Sequence, residues 1–236
     1  MIQDQQLALA VQLHDEETFD NYVGKTNEQV VEDLKRFVNS SGSDINSFYL
    51  FGSDSVGKSH LINASATYAN ELGKTALCLS LKELVQMSTE VLDGLENLDV
   101  ICLDDLHVLA DYEDWQQGVF DLFNRVMEQG KKILLTGNNT PTQLNLSLPD
   151  LVSRLSWGSL AQVKALSDDE KIQALADRAN KRGMVFQPEA MSFLTNRYSR
   201  DMSKLIECLN TLDKLSIQSQ RKITIPFIKD AIDSID

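Results

Sequence analysis

Two groups of residues carry the most specific chemistry in the chain. The first is Gly52-Ser53-Asp54-Ser55-Val56-Gly57-Lys58-Ser59, a full match to G-x-x-x-x-G-K-[ST], the spacing of a loop that wraps a polyphosphate. Gly52 and Gly57 give the backbone conformations a side chain would forbid, so that successive N–H groups, those of Ser55, Val56 and Gly57 among them, turn inward on an anion. Lys58 supplies a point charge for the outer phosphates and Ser59 a hydroxyl ligand for Mg²⁺. The second group is Asp104-Asp105, which closes the apolar run Val100-Ile101-Cys102-Leu103. Downstream of a phosphate loop, Asp104 is expected to hold the Mg²⁺ shell through water and Asp105 to orient or deprotonate an attacking water.

These groups need elements to hold them. Phe48-Tyr49-Leu50-Phe51 reads as a short buried strand running into the loop. His60 to Leu72 reads as the helix leaving it, whose free N–H groups and positive dipole end add to the anion site. A second strand follows at Thr75–Ser80 after the stop at Gly73, then a helix over Leu81–Leu98, irregular near Gly94. Val100–Asp105 has the pattern of a buried parallel strand with acids at its carboxyl end, which in open α/β sheets faces the ligand. Trp115–Glu128 is an amphipathic helix with Val119, Leu122, Phe123 and Val126 on one face, and Lys132–Gly137 is a further buried strand. Asn138 and Asn139 sit just past its end. Their position favours an amide that senses the outer phosphate, although asparagine also suits a turn before Pro141.

The flanks are less specific. Thr18-Phe19-Asp20-Asn21-Tyr22-Val23 either lies near a base and sugar or packs against the domain; Thr26 is the expected cap of a helix through Val38. Asp150–Leu155 starts a short helix ended by Trp157-Gly158, and its Arg154 is either a solvated surface charge or one offered to a neighbour's phosphate. From Ser167 the chain turns wholly helical. Ser167 to Glu170 spells a capping box for a helix to Arg182, and Pro188–Tyr198, Arg200–Ser219 and Pro226–Ile235 follow. Arg200 opens a helix there and is a candidate phosphate contact. The predicted class is α/β, with a nucleotide-binding base over 18–164 and a small all-helical lid over 165–236. Residues 1–17 precede both. Within them Gln6-Leu7-Ala8-Leu9, if extended, sets Leu7 and Leu9 on one side, suited to a hydrophobic pocket; an edge strand or frayed end is the alternative.

Composition narrows the function classes. The 22 basic and 35 acidic residues give a net charge of −13. Residues 161–236 hold 12 basic and 11 acidic side chains, so the whole acidic excess lies before them. Such a surface repels a nucleic-acid backbone and argues against independent DNA binding. Cys78, Cys102 and Cys208 are far apart and odd in number, giving neither a disulfide frame nor a metal spacing, and His14, His60 and His107 are equally scattered. No apolar run reaches the roughly 20 residues of a membrane span, and Met1-Ile2-Gln3-Asp4 does not start a signal peptide. A cytoplasmic protein is expected.

Taken together, the phosphate loop, the strand ending in two acids, the polar residue after the next strand, the Ser153-Arg154 pair and the helical lid with an arginine resemble the AAA+ ATPases. FDNYVGKTNEQV, VGKSHL, LPDLVSRLSWG, RDMSKLIECLN and KITIPFIKDAI are similar to segments of the initiator branch, that of the bacterial replication initiator DnaA. The resemblance spans Thr18 to Ile235 and implies a five-stranded parallel sheet. It also implies ADP or ATP with Mg²⁺ as cofactors: Asn21, Tyr22, Val23 and His60 near the nucleotide, Lys58, Ser59 and Asp104 as nucleotide and Mg²⁺ residues, and Asn138 and Arg200 as two sensors. The chain departs from DnaA in having only about 20 residues between the second and third strands, too few for the extra helices that hold single strands there, and in stopping at Asp236, where a DNA-binding domain is expected in the initiator. It is closer to the DnaA-homologous regulatory inactivators. That likeness implies that Gln6, Leu7 and Leu9 dock on the DNA polymerase III sliding clamp, with DNA reached mainly through the clamp, and that Arg154 acts in trans on ATP held by the DnaA initiator. A self-assembling ATPase that loads or remodels a replication protein is the alternative. Some inactivators carry arginine for the loop lysine and lack the second acid; here Lys58 and Asp105 are both present, so hydrolysis by the chain itself is chemically open.

Overall fold

The computed structural model describes residues 17–40, 45–186, 188–199, 201–219 and 223–232. Strands β1 (Ser47–Phe51), β2 (Ala76–Ser80), β3 (Val100–Asp104), β4 (Lys132–Gly137) and β5 (Ser159–Gln162) form one parallel sheet in the order β2-β3-β4-β1-β5. The apolar runs become strands because both sheet faces are covered. Tyr49, Ile101, Leu103, Ile133 and Leu135 point into one layer, and Phe48, Leu50, Val100, Cys102 and Leu134 into the other, the period-two alternation of a strand. Helices α1 (Glu28–Asn39) and α2 (Lys58–Glu71) cover the second face, through Leu34, Val38, Leu61 and Ile62. Helices α3 (Leu81–Leu84), α4 (Glu113–Glu128) and α5 (Pro149–Trp157) cover the first, through Leu81, Phe123 and Leu155. Strand β5, which no apolar run announces, is a four-residue edge paired only to β1. Because all strands run one way, the chain leaves β1 at Gly52, β3 at Asp105 and β4 at Asn138 along one edge of the sheet.

Three elements differ from the sequence reading. The span from Leu81 to Leu98 is not one helix: after the four residues of α3 come 3₁₀ turns at Thr89–Leu92 and Leu95–Asn97. Ser88 accepts a hydrogen bond from the Glu90 N–H, and Gly94 takes the left-handed conformation at φ 81°. The periodic leucines still cover the sheet, but the backbone between them turns. Thr26 does not cap α1; the cap position is Asn27, and Lys25–Asn27 is a 3₁₀ turn. Gly52 needs no left-handed conformation. A Cβ there would strike the Val163 carbonyl oxygen at 2.4 Å, so close approach of two chains is what excludes a side chain. Gly57 does lie at φ 98°.

Beyond β5 lie helices α6 (Asp168–Lys181), α7 (Pro188–Phe193), α8 (Met202–Ser219) and α9 (Ile225–Ile232). They enclose a core of their own around Leu175, Leu194, Leu205, Leu209 and Ile228. The expected helix to Tyr198 changes at Leu194 to a wider π-type pitch, and the segment is not purely helical, since Phe186 and Ile223 form an isolated parallel bridge. Ser167 and Glu170 make the expected capping box. Glu170 does more than cap. Its carboxylate also accepts from the Thr26 N–H at 3.1 Å and the Thr26 hydroxyl at 3.0 Å. The Asn27 amide pairs with both backbone groups of Lys164, donating at 2.8 Å and accepting at 2.9 Å. The segment before α1 is thereby clasped to the start of the lid.

The backbone N–H and hydroxyl of Ser167, followed by the Thr26 N–H, hold the Glu170 carboxyl down at about 2. A carboxylate depressed on folding contributes stability above its unfolded value of about 4.3 and loses it as pH falls toward 2. Glu170→Gln is therefore expected to cost about 1 kcal/mol at pH 7, and its acid unfolding curve should be flatter between pH 4.5 and 2. An acid limb identical to that of the unsubstituted protein would contradict this.

Candidate nucleotide site

The loop Gly52–Ser59 joins β1 to α2, so its turn delivers the chain into the first turn of a helix. Ser55 and Gly57 both have positive φ, 60° and 98°. A Cβ on Gly57 would meet the Tyr22 ring at 3.0 Å. The Lys58 side chain is buried, and its ammonium donates to the Gly52 and Ser53 carbonyls at 2.8 Å each. Burial lowers its pKa, against the pull of Asp54, Asp105 and Asp104. Lys58 thus meets three carboxylates and a second cation, Lys82, at the sheet edge.

Asp104, at the end of β3, is the buried member of the acid pair. Burial, then the charge of Asp105, raises its pKa, while hydroxyls of Ser59 and Thr136 donate to it. Asp105 begins a 3₁₀ segment in the left-handed region at φ 65°, and its N–H donates to the Thr136 hydroxyl at 3.0 Å. Its carboxylate takes an ion pair from Lys82 at 2.9 Å. Asn138 and Asn139 border a cavity of about 440 Å³ shared with Gly52, Ser53 and Asp54, and the Tyr49 hydroxyl donates to the Asn139 carbonyl at 2.8 Å.

On the opposite side of the loop a cavity of about 430 Å³ opens between base and lid. Asn21, Tyr22, Val23, Ser55, Val56, Gly57 and His60 form its base side, and Leu166, Ala174 and Ile206 are among its lid residues. His60 is fixed by its ring nitrogen at 2.8 Å from the Thr18 carbonyl and by edge-on contact with Tyr22. Burial lowers the His60 pKa and raises that of Tyr22 to about 12, so both are neutral at pH 7. Lys181 of α6 donates to the Asn21 amide oxygen, and the Ser203 hydroxyl to that of Ser55 at 3.0 Å. The aromatic lead-in segment, the loop and the lid therefore share one cavity.

Arg154 lies elsewhere. It borders a separate depression with Phe120, Asp150 and Trp157, none of which lines the two cavities at the loop. Its guanidinium sits 5.5 Å from the Trp157 ring centre, and Trp157 is 74% exposed. Gln6, Leu7, Leu9 and Arg200 lie outside the described residues. Among the described residues no cluster of three or more His, Cys, Asp or Glu side chains could hold a metal, and no helix is long and apolar enough to cross a membrane.

Residues 13–162 match the family model of the bacterial DnaA ATPase domain. The chain belongs to that family. Residues 168–232 match a second model, the lid domain of Hda, so the chain joins a DnaA-type base to an Hda-type lid. The fold is shared with domain III of the Thermotoga maritima replication initiation protein DnaA, at a TM-score of 0.79 and 19% identity over 93% of this chain and 96% of that one. AMPPCP-bound DnaA from Aquifex aeolicus gives 0.69 at 24% identity, over 85% and 66%. The Thermotoga maritima RuvB Holliday junction branch migration motor gives 0.66 at 16%, over 92% and 72%. Residues 81–99 hold one four-residue helix and two 3₁₀ turns.

Two residues of the site, Thr136 and Lys82, do not stand out in the sequence. The signal that locates them is register: Leu103 pairs Leu135, which sets Thr136 beside Asp104, and Ser80 pairs Asp104, which carries Lys82 past the strand end to Asp105. Thr136→Val keeps the shape, removes the donor to Asp104 and orphans the Asp105 N–H. The expected cost is about 1–3 kcal/mol in chemical denaturation; an unchanged midpoint would show that the hydroxyl does not hold the acid pair.

Proposed function

We propose that the chain is a nucleotide-bound regulator that restrains initiation of DNA replication. In this reading it carries ADP or ATP in the Gly52–Ser59 cradle, binds the DNA polymerase III sliding clamp through Gln6, Leu7 and Leu9, and offers Arg154 to ATP held by the DnaA initiator. The observation that carries it is the separation of Arg154 from the chain's own phosphate loop: the two border different depressions. That separation of Arg154 from the chain's own cradle supports a role on another protein's nucleotide.

The cradle suits a nucleoside polyphosphate. Gly57 at φ 98° presents backbone where a Cβ would crowd the Tyr22 ring at 3.0 Å, and α2 adds its dipole end. The base would lie in the cavity of Tyr22, Val23 and His60, closed by lid residues such as Leu166 and Ile206. Asn21 would be held for it by Lys181. Asn138 borders the cavity on the outer-phosphate side and would report the phosphate there. Ser59 and Asp104 would hold Mg²⁺. One buried carboxylate with a hydroxyl beside it, completed by phosphate oxygens and water, is the hard oxygen set that ion prefers. Mg²⁺ would supply charge neutralisation of the phosphates.

Arg154 acts through charge. A guanidinium fixed beside a transferring phosphoryl group attracts the transition state more than the ground state, because charge spreads onto the oxygens it faces. The Trp157 ring beside it limits the directions in which that side chain points.

Arg154→Ala should leave ADP binding by the chain within about twofold and lower hydrolysis of DnaA-bound ATP, on clamp-loaded DNA, by about 10³-fold. Loss of the chain's own nucleotide in that variant would contradict action in trans. Deleting residues 6–9 should abolish capture by immobilised clamp, and undiminished capture would remove the clamp assignment.

A further inference from the structure

The lid reaches the phosphate loop at Ser55. That residue lines the cavity beside the loop and has a left-handed backbone, φ 60°. A β-carbon disfavours this conformation, so the surroundings have to hold it. Two side chains at the start of α8 meet its hydroxyl. Ser203 donates to it at 3.0 Å, and the Asp201 carboxylate accepts from it. A strained position of the loop is thus tied to the lid by a chain of three side chains.

Asp201 is itself firmly placed. It stands just before α8, where its Oδ1 accepts from the Lys204 N–H at 3.1 Å, the bond of a helix N-cap. Its own N–H donates to the Ser199 hydroxyl at 3.0 Å, and its carbonyl accepts from the Leu205 N–H at 3.1 Å. Burial pushes its pKa up, but the Lys204 N–H, the Ser55 hydroxyl and the Ser203 N–H together hold it below the usual value. It is therefore ionised at pH 7 and a strong acceptor. Between loop and lid here is a cavity of only about 100 Å³, bordered by Ser53, Ser55, Val56, Lys171 and Asp201. That is too small for a nucleotide, so the contact is a seam between two parts of the chain.

We infer that Asp201 is a positioning residue for the phosphate loop, holding Ser55 through its hydroxyl in the left-handed turn that readies the loop's N–H groups for a phosphate. The inference rests on the nucleotide reading above and deepens it: the lid shapes the cradle as well as walling the cavity beside it. Nucleotide affinity then draws on a carboxylate that does not line the nucleotide's cavity. Without the contact, Ser55 relaxes toward commoner backbone angles and must be reordered when a phosphate arrives. That ordering cost is subtracted from the binding energy. Charge alone would act the other way, because a carboxylate close to the loop repels phosphate oxygens. The sign of the effect therefore separates the two.

The test is a double-mutant cycle on Mg·ADP affinity, measured by calorimetry on the full chain. Asp201→Ser keeps an oxygen for the α8 cap but is too short to reach Ser55, and Ser55→Ala removes the hydroxyl from the other side. Each should weaken binding about fivefold, and the double variant should be no more than about twofold weaker than either single one. The thermal midpoint of the nucleotide-free Asp201→Ser chain should match that of the unsubstituted protein. Affinity unchanged or tightened in Asp201→Ser overturns the inference, as does a double variant weakened by the product of the two factors, about 25-fold, which is the mark of independent sites. A midpoint that falls together with affinity overturns it too, by assigning Asp201 to the fold of the lid. An unsubstituted chain that binds no ADP would instead overturn the nucleotide reading itself, and this inference with it.

Discussion

The candidate site depends on a turn whose backbone has to face the ligand, with side chains added around it. Between β1 and α2 the chain must pass from extended to helical within a few residues. Ser55 and Gly57 reach that geometry with positive φ, and Gly52 with a carbonyl of the β5 connection where its Cβ would be. A Cβ at Gly52 is opposed by the Val163 carbonyl and one at Gly57 by the Tyr22 ring. The parallel sheet then supplies everything else at the same edge. Asp104, Thr136 and Asn138 arrive because β4 ends beside β1 and β3 beside β4, not because they are near it in the chain.

That edge is electrostatically unsettled. Three carboxylates, Asp54, Asp104 and Asp105, act on a buried lysine, and Asp104 is buried enough that its charge is disfavoured. Such a cluster is costly in a folded chain unless further charges complete it. A divalent ion with phosphates would do so, and Lys82 meets part of the need at Asp105. The lid adds a mechanical link. Glu170 on Thr26 and Lys181 on Asn21 join the lead-in segment to the lid, and the Asn27 amide ties it to Lys164 at the end of the base. Asn21 and Lys181 both line the cavity beside the loop, so a contact between base and lid forms part of its wall.

Much of this was legible in the residues because it is local. The loop spacing, the apolar run closed by two acids and the Ser167–Glu170 box each lie within a few positions and reappear as structure. What the chain hides is long-range or shared. Thr26 looks like a helix cap, but its hydroxyl finds the better acceptor in Glu170, 144 positions away. The leucines from 81 to 98 have helical period, yet a left-handed Gly94 and the Ser88 cap break the backbone while the same side chains reach the core. Strand β5 has alternating exposure in four residues, too short to register as a pattern. Lys82 is an unremarked surface lysine until two strand registers are known. Arg154 shows the limit from the other side: nothing local separates it from any solvated arginine, and only its distance from the loop's cavities gives it meaning.

The central claim is that the Gly52–Ser59 backbone grips a nucleotide's phosphates. Calorimetric titration with Mg·ADP tests it most directly, comparing the unsubstituted chain with Gly57→Val, whose added carbons would enter the Tyr22 ring from a strained backbone. One nucleotide per chain, with affinity at least tenfold weaker in Gly57→Val at unchanged fold by circular dichroism, is the predicted result. Equal affinity in the two, or no binding by the unsubstituted chain, would contradict it.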